Sequence, residues 1–364
     1  MLPVRGPDPM HPDSEGRRWL QQVLPTLPVD PSLFPYQLDL EQNLVLMIQM
    51  TETDYERAAF LDERIVTPET KGSWLPLPGL VDICRRVVRH RPPAWLFHLG
   101  HCGSTLVSRL LGAHRSLLAL REPTVLQAFS HAFREPGAQC EKPVVELCLA
   151  LLSRSYRKDQ RALIKLTSDC NNLIGPLLDF DSNSTGLLLT VSLETYAATM
   201  LRAAPLREDM AVRHPARLHD LESLLDVRIG RDCDDGRRAA ISWLSGMTLL
   251  AQAHRRFRDR LLWLDFDDFL AAPARRLTEV ATFLETPFST DEAAALIQSP
   301  LMRRYSKNLD KGYTAAIRAA DLRSSRERHG DEIAAALRFA EQLAAKYPPI
   351  ADLHRFFRRA DHRV

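Results

Sequence analysis

Residues 95–114 read WLFHLGHCGSTLVSRLLGAH. An apolar run of strand length, 95–99, leads through Gly100-His101-Cys102-Gly103-Ser104-Thr105 into a helical run, 104–114. Two glycines allow the backbone positive φ and a close approach to a ligand. Successive amides can then face one concavity, and the helix N-terminus adds partial positive charge. Ser104 and Thr105 bring hydroxyl donors to the first turn. Such a corner suits a phosphate. The plain alternative is a tight strand-to-helix turn with Ser104 as an ordinary N-cap. A Walker A loop requires Gly-x4-Gly-Lys-[Ser/Thr], whereas here His98 stands at the first glycine and Ser104 at the lysine. A phosphotransferase with the usual lysine and Mg²⁺ is therefore disfavoured.

The surrounding pattern sets the fold class. Short apolar runs at 117–120 (LLAL), 162–167 (ALIKLT), 185–192 (TGLLLTVS) and 261–266 (LLWLDF) alternate with helical runs. Those helical runs are PVVELCLALLSRSYR (143–157), HPARLHDLESLLD (214–226), GRRAAISWLSGMTLLAQAHRRF (236–257) and ARRLTEVATFL (274–284). This alternation predicts βαβ units and an α/β fold with a mainly parallel central sheet flanked by helices. DEIAAALRFAEQLAAKY (331–347) is a further amphipathic helix. Upstream, 1–35 is proline-dense and reads as an irregular arm with one helical piece near Arg18–Leu24. LVLMIQ (44–49) reads as a strand, Thr51 or Thr53 as a helix cap, and Leu80–His90 as a helix stopped by Pro92 and Pro93. The expected boundary separates an extension of mixed or irregular structure, 1–91, from the α/β domain, 92–364.

Composition narrows the function classes. The 364 residues carry 48 Lys+Arg against 46 Asp+Glu, a net charge of +2, which argues against a strongly basic nucleic-acid binder. The six cysteines form no CxxC pair and no zinc spacing, as expected of free thiols in a reducing cytoplasm. The N-terminus has no apolar core of a signal peptide, and no run reaches the ~18 apolar residues of a membrane span. A cytoplasmic protein is expected.

Together, four segments resemble the sulfotransferase superfamily. Residues 95–114 look like that family's 5′-phosphosulfate loop. REP (121–123) follows the second strand, where many bacterial members carry an acidic residue. LLLTVSLETYAATMLR (187–202) sits where the family has a strand, an Arg and a later Ser. LLWLDFDDFLAAPARRLTEVATFL (261–284) is similar to its Tyr-Glu-Asp-Leu…Asp-Pro…Phe-Leu segment. The resemblance covers about 94–285 and implies a three-layer, P-loop NTPase-like fold. It also implies a donor, 3′-phosphoadenosine 5′-phosphosulfate, whose sulfonate passes in line to a hydroxyl or amine without a metal. The acceptor would be a small molecule, a carbohydrate or a peptide. Alternatives are a P-loop-like kinase or hydrolase, or a non-catalytic nucleotide-binding protein of the same fold.

The resemblance assigns residues one by one. Gly100, His101, Cys102, Gly103, Ser104 and Thr105 would bind the 5′-phosphate, with bare glycines keeping the concavity open. His101 stands where the family carries Lys or Arg and would need a raised pKa to replace that cation. Glu122 is the candidate general base, because Lys165-Leu166-Thr167 lacks the histidine of the family's Lys-x-His. Lys165 would face the sulfonate. Ser192 occupies the position of the family's Arg for the 3′-phosphate, so that group would need other cations. Arg202 and the basic run around 303–311, including Lys307 and Lys311, are the candidates. Asp267 or Asp268 would cap the helix that follows, and Trp243 and Met247 belong to the core.

Overall fold

A computed structural model describes residues 14–84, 87, 91–134, 141–230 and 233–358. In chain order, α1 is Ser14–Val23, β1 Leu33–Asp39, β2 Leu44–Gln49, α2 Glu52–Arg57, β3 Gly72–Pro76, α3 Leu77–Cys84, β4 Ala94–His98 and α4 Ser104–Gly112. Then come β5 Leu117–Arg121, α5 Val125–Ala132, α6 Lys142–Leu152, β6 Arg161–Lys165, α7 Ile174–Phe180, β7 Thr185–Thr190, α8 Leu193–Leu201, α9 Ala204–Leu225 and α10 Asp235–Arg256. The remainder is β8 Leu261–Asp265, α11 Phe266–Ala271, α12 Pro273–Phe283, α13 Thr290–Gln298, β9 Arg304–Tyr305, β10 Asn308–Gly312, α14 Ala315–Arg328, α15 Gly330–Ala344 and α16 Pro348–Ala351.

The central sheet has five strands in the order β5-β6-β4-β7-β8, and helices flank it. β5 runs parallel to β6, and β7 to β8. Every residue of β4, β5 and β6 is buried, as continuous apolar runs require in a sheet covered on both faces. The expected α/β architecture is present. No helix among the described residues is long and apolar enough to cross a membrane. The helix expected over Leu80–His90 is α3, ending at Cys84; residues 85, 86 and 88–90 lie outside the described residues, as do 1–13 and Cys140.

Contacts divide the chain into two compact units. One comprises 1–95, 108–166 and 176–185, the other 96–107, 167–175 and 186–364.

In the first unit, β1, β2 and β3 form an antiparallel sheet. The proline-dense arm thus ends in a strand: Pro35 sits in edge strand β1, where no ladder donor is missed, and the register shifts between Pro35 and Gln37. Buried arginines then tie the chain together through backbone carbonyls. Arg154 is 2% exposed and donates Nε to Leu151 at 2.8 Å, one terminal nitrogen to Leu27 and Asp30 at 2.6 Å each, and the other to Leu33. Arg121 reaches the carbonyls of Tyr55 (2.8 Å) and Ala58 (2.6 Å), and Arg109 those of Glu56 and Arg57. These cations satisfy the C-terminal carbonyls of α2, whose N-terminus is closed by a capping box between Thr51 and Asp54. Burial pulls the Arg121 and Arg154 guanidinium pKa values down to about 9 and about 10, so both remain charged at neutral pH.

The second unit packs α8, α9, α10 and α15 together. Trp243 is fully buried, donates to the Val191 carbonyl at 2.9 Å and meets Phe357 edge-on, in keeping with its core reading. α9 starts ten residues before the expected His214 and carries Pro215 in its interior. The cap of α11 is Asp265, not Asp267 or Asp268: its carboxylate accepts from both of their amides, at 2.8 and 3.2 Å. Asp267 is instead buried against Arg318 at 2.6 Å.

Two outcomes follow for stability. Arg154→Met strands several buried carbonyls, each costing about 1–3 kcal/mol, so chemical denaturation should register a loss of about 3 kcal/mol or more. Burial and the neighbouring Asp267 raise the Asp265 carboxyl to about 6. The folded state therefore holds a proton that the unfolded chain releases near pH 4. This contribution is fully present below about pH 4 and is lost as pH rises through about 6. Asp265→Asn, which keeps an acceptor at the cap, should flatten the stability profile between those pH values in denaturant titrations.

Candidate functional site

β4 ends at His98, and the chain turns to begin α4 at Ser104. His101 (φ 58°) and Gly103 (φ 84°) both take the left-handed conformation, which a histidine adopts at a cost. The Gly103 carbonyl accepts from Leu106 (3.0 Å) and Val107 (3.2 Å). Among the described residues, no acceptor meets the backbone amides of Gly103, Ser104 and Thr105, and neither the Ser104 nor the Thr105 hydroxyl makes a hydrogen bond. The Ser104 hydroxyl therefore does not serve as an N-cap. Ser104 and Thr105 are nevertheless only 4% and 3% exposed. Cys102 turns its thiol inward to the Leu189 carbonyl, so only its backbone belongs to the corner.

The glycines serve packing as well as access. A Cβ on Gly103 would lie 2.2 Å from the Phe266 ring, and one on Gly100 would lie 3.1 Å from the Ser168 hydroxyl. Phe266 stacks on Phe269, and Arg318 lies 5.2 Å above its ring. The expectation that bare glycine at 103 keeps a concavity open is corrected here: on its Cβ side Gly103 is covered by an aromatic ring.

His101 lies between two charges. Its Nδ1 is 3.4 Å from Lys307 Nζ, and its Nε2 is 3.4 Å from Asp209 Oδ2. An ammonium only donates, so Nδ1 accepts and Nε2 carries the hydrogen towards Asp209. Burial lowers the His101 pKa; Asp209 opposes the shift and Lys307 reinforces it. The raised pKa needed for an imidazolium in the loop is not what this environment produces, and the imidazole is neutral at pH 7.

Cations come instead from elsewhere in the same unit. Arg213 Nε reaches Asp209 at 2.8 Å and pairs through its terminal nitrogen with Asp169. Arg217, 5% exposed, contacts both Asp169 and the Ser168 hydroxyl at 2.9 Å. Arg213 and Arg217 thus face Asp209 and Asp169, and Lys307 lies on the other side of His101. Asp209, Arg213 and Arg217 recur every fourth residue along one face of α9. That spacing is visible in the sequence, yet it reads there as a solvated charged stripe, and all three were missed.

The other expected residues are placed as follows. Ser192 caps α8 by accepting from the Thr195 amide. Arg202 bonds Asp321 (3.0 Å) and the Tyr313 hydroxyl (3.2 Å). Lys311 lies on β10. In the first unit, Lys165, 1% exposed, is ion-paired with Glu122, and the Glu122 amide donates to the Lys165 carbonyl at 2.6 Å. Glu122 immediately follows β5 and has a φ of 57°.

No family model matches the chain, and no curated protein matches it. Among solved structures it is similar to a sulfotransferase from Alicyclobacillus acidocaldarius, at 13% identity over 73% of this chain and 94% of that one, with a TM-score of 0.39. It is likewise similar to the sulfotransferase domain of the Synechococcus PCC 7002 olefin synthase, at 15% identity over 70% and 97% of the two chains, with a TM-score of 0.37. Retinol dehydratase in complex with androsterone and the inactive cofactor PAP matches at 12% identity over 84% and 97%, with a TM-score of 0.34.

Gly103→Ala should destabilise the chain by about 2 kcal/mol, because it combines left-handed backbone with a collision against Phe266. In a Phe266→Ala background the same change should cost about 1 kcal/mol less, a coupling that a double-mutant denaturation cycle would read.

Proposed function

We propose that the chain is a sulfotransferase. It binds 3′-phosphoadenosine 5′-phosphosulfate at the start of α4 and transfers the sulfonate to a hydroxyl or amine of a small molecule, a carbohydrate or a peptide. The observation that carries this reading is the group of amides and hydroxyls at 103–105 with no acceptor among the described residues. First-turn amides and hydroxyls without protein acceptors can bond a ligand, and an anionic one would also meet the partial positive charge of the helix start. The missing Walker lysine speaks against ATP-dependent phosphoryl transfer.

In the proposed reaction the acceptor oxygen or nitrogen forms a bond to sulfur as the bond from sulfur to the 5′-phosphate oxygen breaks. The phosphate leaves with the electron pair, and the acceptor's proton passes to a base. Glu122 is proposed as that base. Its carboxylate is paired with Lys165, the residue proposed to face the sulfonate. Its left-handed backbone, uncommon for a non-glycine residue, fits a residue held for function. Lys165 holds the carboxylate and is proposed to face the sulfonate.

Calorimetry tests the donor assignment. 3′,5′-Adenosine bisphosphate should bind at least about tenfold more tightly than ATP with Mg²⁺, a gap of about 1.4 kcal/mol. Preference for ATP would replace the reading with a phosphotransferase, and binding of neither would remove the nucleotide. Glu122→Gln should lower turnover by ~10²-fold while bisphosphate affinity stays the same. Full turnover in that variant would take the base role from Glu122.

A further inference from the structure

β9 and β10 pair antiparallel, and the turn between them carries Ser306 and Lys307. That turn brings the Lys307 ammonium to 3.4 Å from His101 Nδ1, inside the loop that opens α4. His101 is held on its other side by Asp209, which Arg213 anchors in turn. The backbone at His101 is left-handed, with a φ of 58°.

A neutral imidazole cannot balance charge that grows on a leaving phosphate, whereas an ammonium beside it can. We propose that Lys307, delivered by the β9–β10 turn and aimed by His101, is the cation that meets the 5′-phosphate of the donor. This inference rests on the donor assignment above. In the transfer step Lys307 stays protonated throughout. Sulfur exchanges its phosphate oxygen for the acceptor atom, the acceptor's proton goes to the base, and the two electrons of the broken bond remain on the phosphate that Lys307 faces. His101 is then a positioning residue: its Nδ1 accepts from the ammonium, and its Nε2–H is turned towards Asp209. The arrangement divides between two segments of the chain what a single loop lysine could do alone. It also ties donor binding to the seating of the hairpin.

The test compares two probes by calorimetry: 3′,5′-adenosine bisphosphate and adenosine 3′-monophosphate. Their affinity ratio isolates the contribution of the 5′-phosphate. In the unaltered chain that ratio should be about tenfold or more, as expected for a charge-assisted contact. In Lys307→Ala, with Lys307→Gln as a second variant should the first fold poorly, the ratio should fall by about tenfold while affinity for the monophosphate is kept. His101→Lys added to Lys307→Ala should restore the ratio by returning a cation to the loop, a rescue that a purely structural role for Lys307 would not give. An unchanged ratio in both Lys307 variants overturns the proposal and leaves the donor assignment standing. Equal loss of both probes also overturns it, by assigning Lys307 to the 3′-phosphate or to folding. If the unaltered chain binds neither probe, the donor assignment and this inference fail together.

Discussion

The turn from β4 into α4 sets the terms for the second unit. In five residues the chain must leave a buried strand, reverse its backbone twice through positive φ and start a helix whose first amides meet no acceptor among the described residues. Gly103 can take that conformation and still pack beneath Phe266, because it has no Cβ to collide with the ring. Phe266 is in turn fixed by its stack on Phe269 and by the cap that Asp265 places on α11. The glycine, the aromatic ring and the acidic cap therefore form one mechanical unit, although 162 positions separate Gly103 from Asp265 in the sequence.

Much of this was legible in the chain. β4, β5 and β6 announce themselves because strands covered on both faces are apolar throughout, and the observed limits differ from the expected ones by a residue or two. The glycine-hydroxyl corner was legible because few residue types fit positive φ beside a helix start. β1 was hidden by Pro35, whose tolerance depends on its place at a sheet edge. Only pairing partners can reveal such an edge. The start of α9 was hidden by Pro215, which local rules read as an end. Asp265 lost the cap assignment to Asp267 and Asp268 because three carboxylates within four residues offer the sequence no way to choose; the backbone at Asp265, extended before the first turn, makes the choice.

Arginine was the residue that sequence reading handled least well, and the structure separates its uses by what accepts its hydrogens. Arg109, Arg121, Arg154 and Arg161 give theirs largely to backbone carbonyls. A carbonyl is neutral, so each keeps its full charge in the interior, and its planar fork is spent on fixing chain segments. Arg213 and Arg217 sit with carboxylates, where opposite charges are held side by side. The first arrangement holds a fold together. The second sets ion pairs beside the loop.

That distinction bears on why a histidine can occupy the loop. A cation at position 101 would stand beside Lys307 in a buried setting, where two like charges raise the cost of burying either. Neutral imidazole removes this repulsion and offers one lone pair to the ammonium and one hydrogen towards Asp209, so that both neighbours are oriented by a group carrying no charge. The histidine in the loop and the lysine on the hairpin are then a matched pair: each is acceptable because of the other. Replacing the histidine alone by lysine should weaken the hairpin's hold on the loop, whereas exchanging the two residues, His101→Lys with Lys307→His, should not.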